Sequence, residues 1–432
     1  MDKKDKRIAE LEAEIADLKK RLEQLERMLG LNSGNSSKPP SSDGLRKKPS
    51  PKSLRVMGEN RTGGQKGHKG YTLSQVEAPS QIVVHDVSEC AVCHAPLSST
   101  PAERIIKRQV FDICIPVIEV TEHHAEVKLC LCGHRTTASF PKNVNSPVQY
   151  GARVKALAVY LSNQQLVPED RLQQIFEELF SLPLSTATLT RFNAEFAERV
   201  APIQEKVLLE LKTASVKGVD ESGLRIGGKT QWLHTLSSGI ATHYRVCEKR
   251  GTLLDGIQGI LVHDHWKPYF ALDGVEHALC NAHHLRELKA LEEIEKEPWA
   301  FKMSKLLRIL HSMKDPPLER SMSLYEKIVE SGITFHDSQP SIGGRKRRVG
   351  HNLLLRLRDF KDATLRFLTT PDVPFTNNQS EQDIRMIKVK QKISGCFRTT
   401  RGAEIFCTIR GFLSTQRKLN INIFQSILHH AT

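Results

Sequence analysis

No run of 18 apolar residues occurs in the 432 positions of this chain, so no membrane-spanning helix is expected. The opening MDKKDKR is too polar for a signal peptide. No basic amphipathic anchor is visible either, which argues against a membrane surface as the partner. Acidic charge is in deficit: 49 Asp and Glu face 63 Lys and Arg, a formal net charge of +14. A polyanion, nucleic acid above all, is the partner such a balance favours. The nine cysteines are odd in number and clustered, which fits metal ligation in a reducing cytoplasm better than disulfides. HExxH spacing is absent, so the histidines do not spell a zinc hydrolase of that type. What remains is ordinary for a globular protein, 39% hydrophobic and 26% charged, and long enough for two or more domains.

Residues 1–30 carry an a/d heptad: Ile8, Leu11, Ile15, Leu18, Leu22, Leu25 and Leu29 alternate steps of three and four. In a parallel dimer a g residue meets the partner's e residue five positions on. Those pairs are Arg7 with Glu12, Glu14 with Lys19 and Arg21 with Glu26, all opposite in sign. A parallel leucine-zipper coiled coil is therefore expected; a lone amphipathic helix docked on the body is the alternative. Residues 31–75 are rich in Ser, Pro, Gly and Lys without apolar periodicity, the composition of a flexible basic linker. From Lys38 to Lys69 nine Lys or Arg face only Asp43 and Glu59. Arg61, Lys66 and Lys69, set among small residues in RTGGQKGHKG, suit an arm laid along phosphates or in a minor groove. A solvated tether accounts equally well for the rest of the linker.

Residues 76–146 are expected to form a small zinc-binding module. Cys90-x-x-Cys93 and, after a stretch that reads as strand-rich, Cys130-x-Cys132 offer four thiolates for a closed structural Zn²⁺ site. His94 or His134 can replace one cysteine, and buried free thiols are the alternative. Cys114 sits among alternating apolar residues and is expected in a core. Residues 147–212 read as three helices, the last capped by Ser185. Their spacing admits a helix-turn-helix that would turn Thr186, Thr188 and Arg191 toward DNA, although plain helical packing is preferred.

After Ser215 the pattern changes to short strands. Three hairpin strands, a short helix around Leu253–Ile257, the apolar run GILVHD and the strand VEHALC give the order of an RNase H-like sheet. The fold class expected is mixed α/β (α+β): an RNase H-like core over residues 213–400, a helical insertion at about 298–371, and a helical tail over 401–432. In that order the first and fourth strands are neighbours, which brings Asp220 and Asp264 together. Side chains alternate along a strand, so Asp220 and Glu221 cannot both face one site; Asp220 is chosen. Glu381 opens a helix in which Thr376 and Gln379 have capping-box spacing and Gly395 supplies the stop. Three hard carboxylates suit Mg²⁺, and two ions about 3.5–4 Å apart activate a hydroxyl and stabilise a leaving oxygen. Arg385, Lys388 and Lys392 fall within about 60° of Glu381 on the helical wheel, a cationic row suited to phosphates. The basic run GGRKRRVG in the insertion suits DNA backbone or a solvated loop. Of His263, His265, His283 and His284 around the second carboxylate, none is assigned as a ligand. Cys280 and His283 assist the site or pack, with packing preferred, and Trp232 and Trp266 read as core aromatics.

The motifs VDES, VHDHWKPY, CNAHHLREL and NNQSEQDIRMIKVKQKISGCFRT, preceded by NSSKPPSSD and GGQKGHKG, resemble the insertion sequence 66 family of bacterial transposases over nearly the whole chain. The resemblance implies an Asp-Asp-Glu transposase dependent on Mg²⁺, with Mn²⁺ as a substitute, that binds the terminal inverted repeats of its element. It would carry out DNA cleavage and strand transfer through Asp220, Asp264 and Glu381. It implies as partners the element ends, target DNA, further copies of the chain in a dimer or synaptic assembly, and accessory proteins of the same element. Lys388 resembles the lysine that related enzymes place on the DNA end, whereas Asn377 stands where those relatives carry an arginine. The location implied is the bacterial cytoplasm, at the nucleoid. The competing class is a dimeric, zinc-containing DNA-binding regulator without catalysis.

Overall fold

The computed structural model describes residues 3–32, 34–36, 74–111, 118–251, 255–340 and 347–431. Arg61, Lys66, Lys69 and Cys114, with most of the basic linker and the first half of GGRKRRVG, lie outside the described residues. The chain divides into two compact units, Met1–Pro51 with Val120–Thr432, and Lys52–Glu119. The smaller unit has little regular structure: an isolated bridge joins Glu89 to Pro96 around the turn that carries Cys90 and Cys93. Of the strand-rich stretch expected before Cys130, residues 112–117 lie outside the described ones; the described part holds β1 (Val127–Leu129), in the larger unit, paired antiparallel with β2 (Arg135–Thr137). Among the described residues of the smaller unit, the apolar Ile82, Val84, Ile105 and Val110 stay exposed.

The larger unit is built on a mixed five-stranded sheet, β3 (Val216–Ile226), β4 (Lys229–Ser237), β5 (Thr242–Cys247), β6 (Gly259–His263) and β7 (Val275–Leu279), in the order β5-β4-β3-β6-β7. The first three strands are an antiparallel meander; β6 and β7 run parallel to β3. Gly227 and Gly228, both at positive φ, form the two-residue turn between the paired residues Ile226 and Lys229, a geometry that admits no side chain cheaply. The short helix expected around Leu253–Ile257 is not formed over 255–258, which are bends and extended chain. Gly256 and Gly259 take positive φ there, and Gln258 and Ile260 donate their N–H groups to Lys212 and Ser215 carbonyls instead of to a helical ladder.

Helices cover both faces of the sheet. On one, the end of α4 (Thr186–Thr213) lays Val207 and Leu211 against Val219, Leu236 and Leu261. On the other, α10 (Asn378–Ser394) and α11 (Thr400–Lys418) pack Ile384, Ile387, Phe406 and Cys407 on Leu224, Leu233 and Tyr244. Ser185 caps α4, its hydroxyl accepting from Thr188 N–H at 3.1 Å. The α4 helix continues for 28 residues as a core element, together with α2 (Ala152–Val159), α3 (Glu169–Phe180), α11 and α12 (Ile423–His430). Residues 401–432 therefore do not trail from the body: Phe412 and Leu413 are buried in that core. Between β7 and α10, α5 (Asn281–Ala290), α6 (Pro298–Ser312), α7 (Leu318–Asp337), α8 (Val349–Asp359) and α9 (Lys361–Thr369) enclose a separate core around Trp299, Tyr325 and Leu354.

The first helix, α1 (Lys3–Gly30), stands apart from this packing along most of its length. Its a and d side chains are 42–61% exposed, and only its end is tied down, by an Arg27–Glu295 ion pair of 3.0 Å. At the centre of the unit Gly411 lets α11 close on Gln204 of α4 and the Thr242 carbonyl of β5; a Cβ there would press on both. Gly411→Ala should destabilise the larger unit by about 1–3 kcal/mol, read as a lowered midpoint in urea unfolding.

Candidate active site

The sheet itself sets up a row of side chains. In the β3–β6 ladder Gly218 pairs with Val262, and in the β6–β7 ladder His263 pairs with Leu279. Carrying both registers onward sets Asp220, Asp264 and Cys280 level with one another on three neighbouring strands, each strand about 4.8 Å from the next. All three fall on the face that α10 covers, as Gly218 and Ser237 show by their approach to Ser380. Asp264 and Cys280 stand just past the C-terminal ends of parallel strands, where sheets of this kind place ligands. Glu221 points to the opposite face, where its buried carboxylate accepts from Arg250 and, at 2.6 Å, from the Tyr269 hydroxyl. The Arg250 guanidinium lies over the Trp266 and Trp232 rings, 4.4 and 5.0 Å from their centroids, so both aromatics shelter an ion pair, and Trp266 also packs against the core around Val219, Leu236 and Tyr269.

Glu381 comes from the first turn of α10. The capping box expected from Thr376 and Gln379 is not made: Asn377 takes the cap position, with no side-chain cap bond. The reason is that the neighbouring polar groups are used to attach the helix to the sheet. Asn377 donates through Nδ2 to the Val219 carbonyl at 2.6 Å, and Gln379 donates to Asp383 Oδ1 at 3.1 Å. Gly218 is required beneath this junction, since a Cβ would collide with Ser380 and Asn377. Gly395, at positive φ, does end the helix.

The charges at the site repel one another. The Asp220 carboxyl is pushed up to about 8 by burial and by the nearby Glu221, Glu381 and Asp264. Asp264 is raised by burial and then by Glu221, and its Oδ1 accepts from Trp266 N–H at 3.0 Å. Glu381 is raised by burial against the pull of Arg286 and Arg385. Buried, mutually repelling carboxylates are what a cation site lacks only its cation to neutralise, so this donor set fits Mg²⁺. Among the described residues, however, the one group of three His, Cys, Asp or Glu whose ligand atoms lie within 4.8 Å of each other is Cys280, His283 and Glu381. The three expected carboxylates do not form so tight a set: Glu381 leans toward α5, with its Oε1 3.8 Å from Arg286 and 4.0 Å from His283 Nδ1.

Of the cationic row, Arg385 and Lys392 are exposed. Lys388 turns inward and donates to the Gly223 carbonyl at 2.5 Å, where burial lowers its pKa against the attraction of Asp220. In the cysteine turns, backbone N–H groups of Cys93 and Val92 hold the Cys90 thiol below its ordinary range, and those of Cys132 and Leu131 do the same for Cys130. N–H groups aimed at sulfur favour thiolate and hence metal ligation. Sequence reasoning overlooked Asp383. It accepts from Lys418 at 2.8 Å and from Thr242 at 3.1 Å, while Tyr244 donates to its carbonyl at 2.8 Å. Two residues on from Glu381 it lies about 200° round the helix, so anchoring it to α11 and β5 turns Glu381 toward the Asp pair and α5.

Residues 147–405 match the Transposase IS66 family, well over half of the chain, and the chain belongs to that family. Residues 2–74 match a family of unknown function. A stretch of 139 residues is 38% identical to Uncharacterized protein y4jO of Sinorhizobium fredii (strain NBRC 101917 / NGR234), covering 32% of this chain and 39% of that protein. The chain thus spans about two fifths of the length of the curated relative it matches. No helix among the described residues is long and apolar enough to cross a membrane.

The buried Asp383–Lys418 pair yields a direct test of how α10 is held. Asp383→Ala leaves the Lys418 ammonium without its carboxylate and should cost about 3–5 kcal/mol of unfolding free energy in urea titrations.

Proposed function

We propose that this chain is a DNA transposase of the Asp-Asp-Glu type with an RNase H-like core. It would bind the terminal inverted repeats of an insertion sequence, cleave at the element ends and join them to target DNA. The observation that carries this reading is the parallel register of Gly218 with Val262, which carried two residues onward sets Asp220 opposite Asp264, together with the repulsion of Asp220 by both Asp264 and Glu381. The strand order β5-β4-β3-β6-β7, antiparallel then parallel, supports the RNase H-like assignment. Family membership supports the transposase role.

Asp220, Asp264 and Glu381 would hold two Mg²⁺, which supply activation of a water or 3′-hydroxyl and stabilisation of the leaving oxygen of a phosphodiester. Asp220, on the central strand, is placed to be the shared ligand, and Asp264 is held in orientation by the Trp266 N–H. Lys388, braced on β3 beside Asp220, supports that carboxylate's position and can meet a DNA end at the site's edge. The exposed Arg385 and Lys392, with Arg61, Lys66 and Lys69 of the basic linker, are the proposed phosphate contacts. No serine or tyrosine nucleophile is required, because the attacking oxygen is that of water or of a DNA end.

Asp264→Asn removes one ligand charge and nothing else of bulk. It should abolish metal-dependent nicking of end-containing DNA in a gel assay while leaving binding to the ends within about twofold, since phosphate contacts lie elsewhere. Retained nicking by that variant takes Asp264 out of the site; end binding by the wild type with no nicking at any Mg²⁺ or Mn²⁺ concentration favours the non-catalytic regulator.

The exposed a/d stripe of α1 and its complementary g and e charges support a parallel homodimer through residues 1–30. Leu18→Asp should shift the chain toward monomer in sedimentation velocity, without changing the unfolding midpoint of the sheet. Cys90 with Cys93 and Cys130 with Cys132 are the thiolates proposed for structural Zn²⁺.

A further inference from the structure

We infer that Cys280, His283 and Glu381 form a binding site for a thiophilic divalent cation of the zinc class, beside the aspartate pair. The local sequence builds it simply. Cys280 closes β7 and caps α5, and His283 follows in the first turn of that helix, so the Cys-x-x-His spacing turns both side chains to one side. Glu381 arrives from α10, and the sulfur, a ring nitrogen and a carboxylate oxygen all come within 4.8 Å of one another.

Two unsatisfied atoms mark the place. His283 Nδ1 and Glu381 Oε1 are buried, 4.0 Å apart, and neither has a hydrogen-bond partner among the described residues. Leaving such groups unpaired costs about 1–3 kcal/mol each, and a cation between them removes that cost. Cys280, 1% exposed, accepts a hydrogen bond from Asn377 N–H at 3.1 Å, while burial pushes its thiol up to about 11, so an entering ion has to displace the proton. Thiolate, imidazole and carboxylate together select zinc-class ions over Mg²⁺, which prefers oxygen alone. With Zn–S about 2.3 Å and Zn–N or Zn–O about 2.0–2.2 Å, tetrahedral ligands on one ion stand about 3.4–3.6 Å apart, so a closure of at most about 1.5 Å completes the set. A cavity of about 220 Å³ bordered by Asp264, Cys280, His283 and His284 leaves room for a fourth, exchangeable ligand. Opposing charge comes from Arg286, 3.8 Å from Glu381, and from Arg356 on the cavity wall; Glu287, paired with Arg356 at 2.6 Å, offsets part of it.

The site shares Glu381 with the proposed catalytic set. Zinc held here would therefore withdraw Glu381 from the Asp pair and inhibit Mg²⁺-dependent nicking, a consequence that rests on the catalytic reading.

The full-length chain, freed of metal by dialysis against chelator, is titrated with Co²⁺ and Zn²⁺. Bound metal is counted by mass spectrometry, and the thiolate-to-cobalt charge-transfer absorbance is recorded. The wild type should bind one equivalent more than Cys280→Ser or His283→Ala, each checked for folding by circular dichroism. Glu381→Gln should weaken that equivalent by at least about tenfold. The cysteines at 90, 93, 130 and 132 are common to all these proteins and cancel in the comparison. Should Cys280→Ser fail to fold, His283→Ala decides alone, its ring being partly exposed. Equal metal content in the wild type and a folded His283→Ala overturns the site. Unchanged affinity in Glu381→Gln overturns its sharing. A wild type that never nicks DNA counts against the catalytic reading and leaves the metal count to decide the site.

Discussion

Asp383 and Lys418 form an ion pair of 2.8 Å between α10 and α11, with both side chains 9% exposed. The desolvation of two charges is offset there by a full set of partners. The Lys418 ammonium also donates to the Ser238 and Ala241 carbonyls, and the Asp383 carboxylate also accepts from Thr242 and Gln379. Such a cluster has one low-energy arrangement, because any rotation of α10 leaves a buried charge without its partners. It thereby fixes the helix whose first turn carries Glu381. The Asn377 contact to β3 and the absence of a side chain at Gly218 set its distance from the sheet.

On that fixed frame the sheet supplies the rest. Parallel pairing of β3, β6 and β7 lines up Asp220, Asp264 and Cys280, and the helix ends bring His283 and Glu381 over them. The two faces of β3 divide the chemistry. Asp220 remains under α10, raised by burial and by neighbouring carboxylates, whereas on the other side Glu221 pairs with Arg250 and accepts from the Tyr269 hydroxyl. Two adjacent acids on one strand are thus given opposite electrostatic fates by a single step of the pleat.

Much of this was legible from local pattern. The strand at GILVHD, the alternation that separates Asp220 from Glu221, the Ser185 cap and the Gly395 stop all follow from short-range stereochemistry, and each is present. The failures were of a different kind. A capping box at Thr376 and Gln379 was plausible in isolation, yet Gln379 is drawn to Asp383. The helix expected around Leu253–Ile257 is absent from its described part, 255–257, where Gly256 takes positive φ, and Gln258 beyond it bonds to the Lys212 carbonyl. Trp266 packs against the core as its type suggests, but it also joins Trp232 in flanking the Arg250 guanidinium. Each departure came from a competing bond or backbone conformation that the local pattern did not reveal.

The residues alone determined the basic character, the heptad of α1, the cysteine turns and which acids were worth watching, because each depends on composition or on neighbours a few positions away. Tertiary structure decided where those acids point. Glu381 lies 117 positions from Asp264, and its bearing follows from Asp383 locking onto α11. Cys280 and His283 passed for packing residues until α10 brought a carboxylate to them. Ligand sets are defined by angstroms between side chains on different elements, and only the closed sheet with its covering helices fixes those distances.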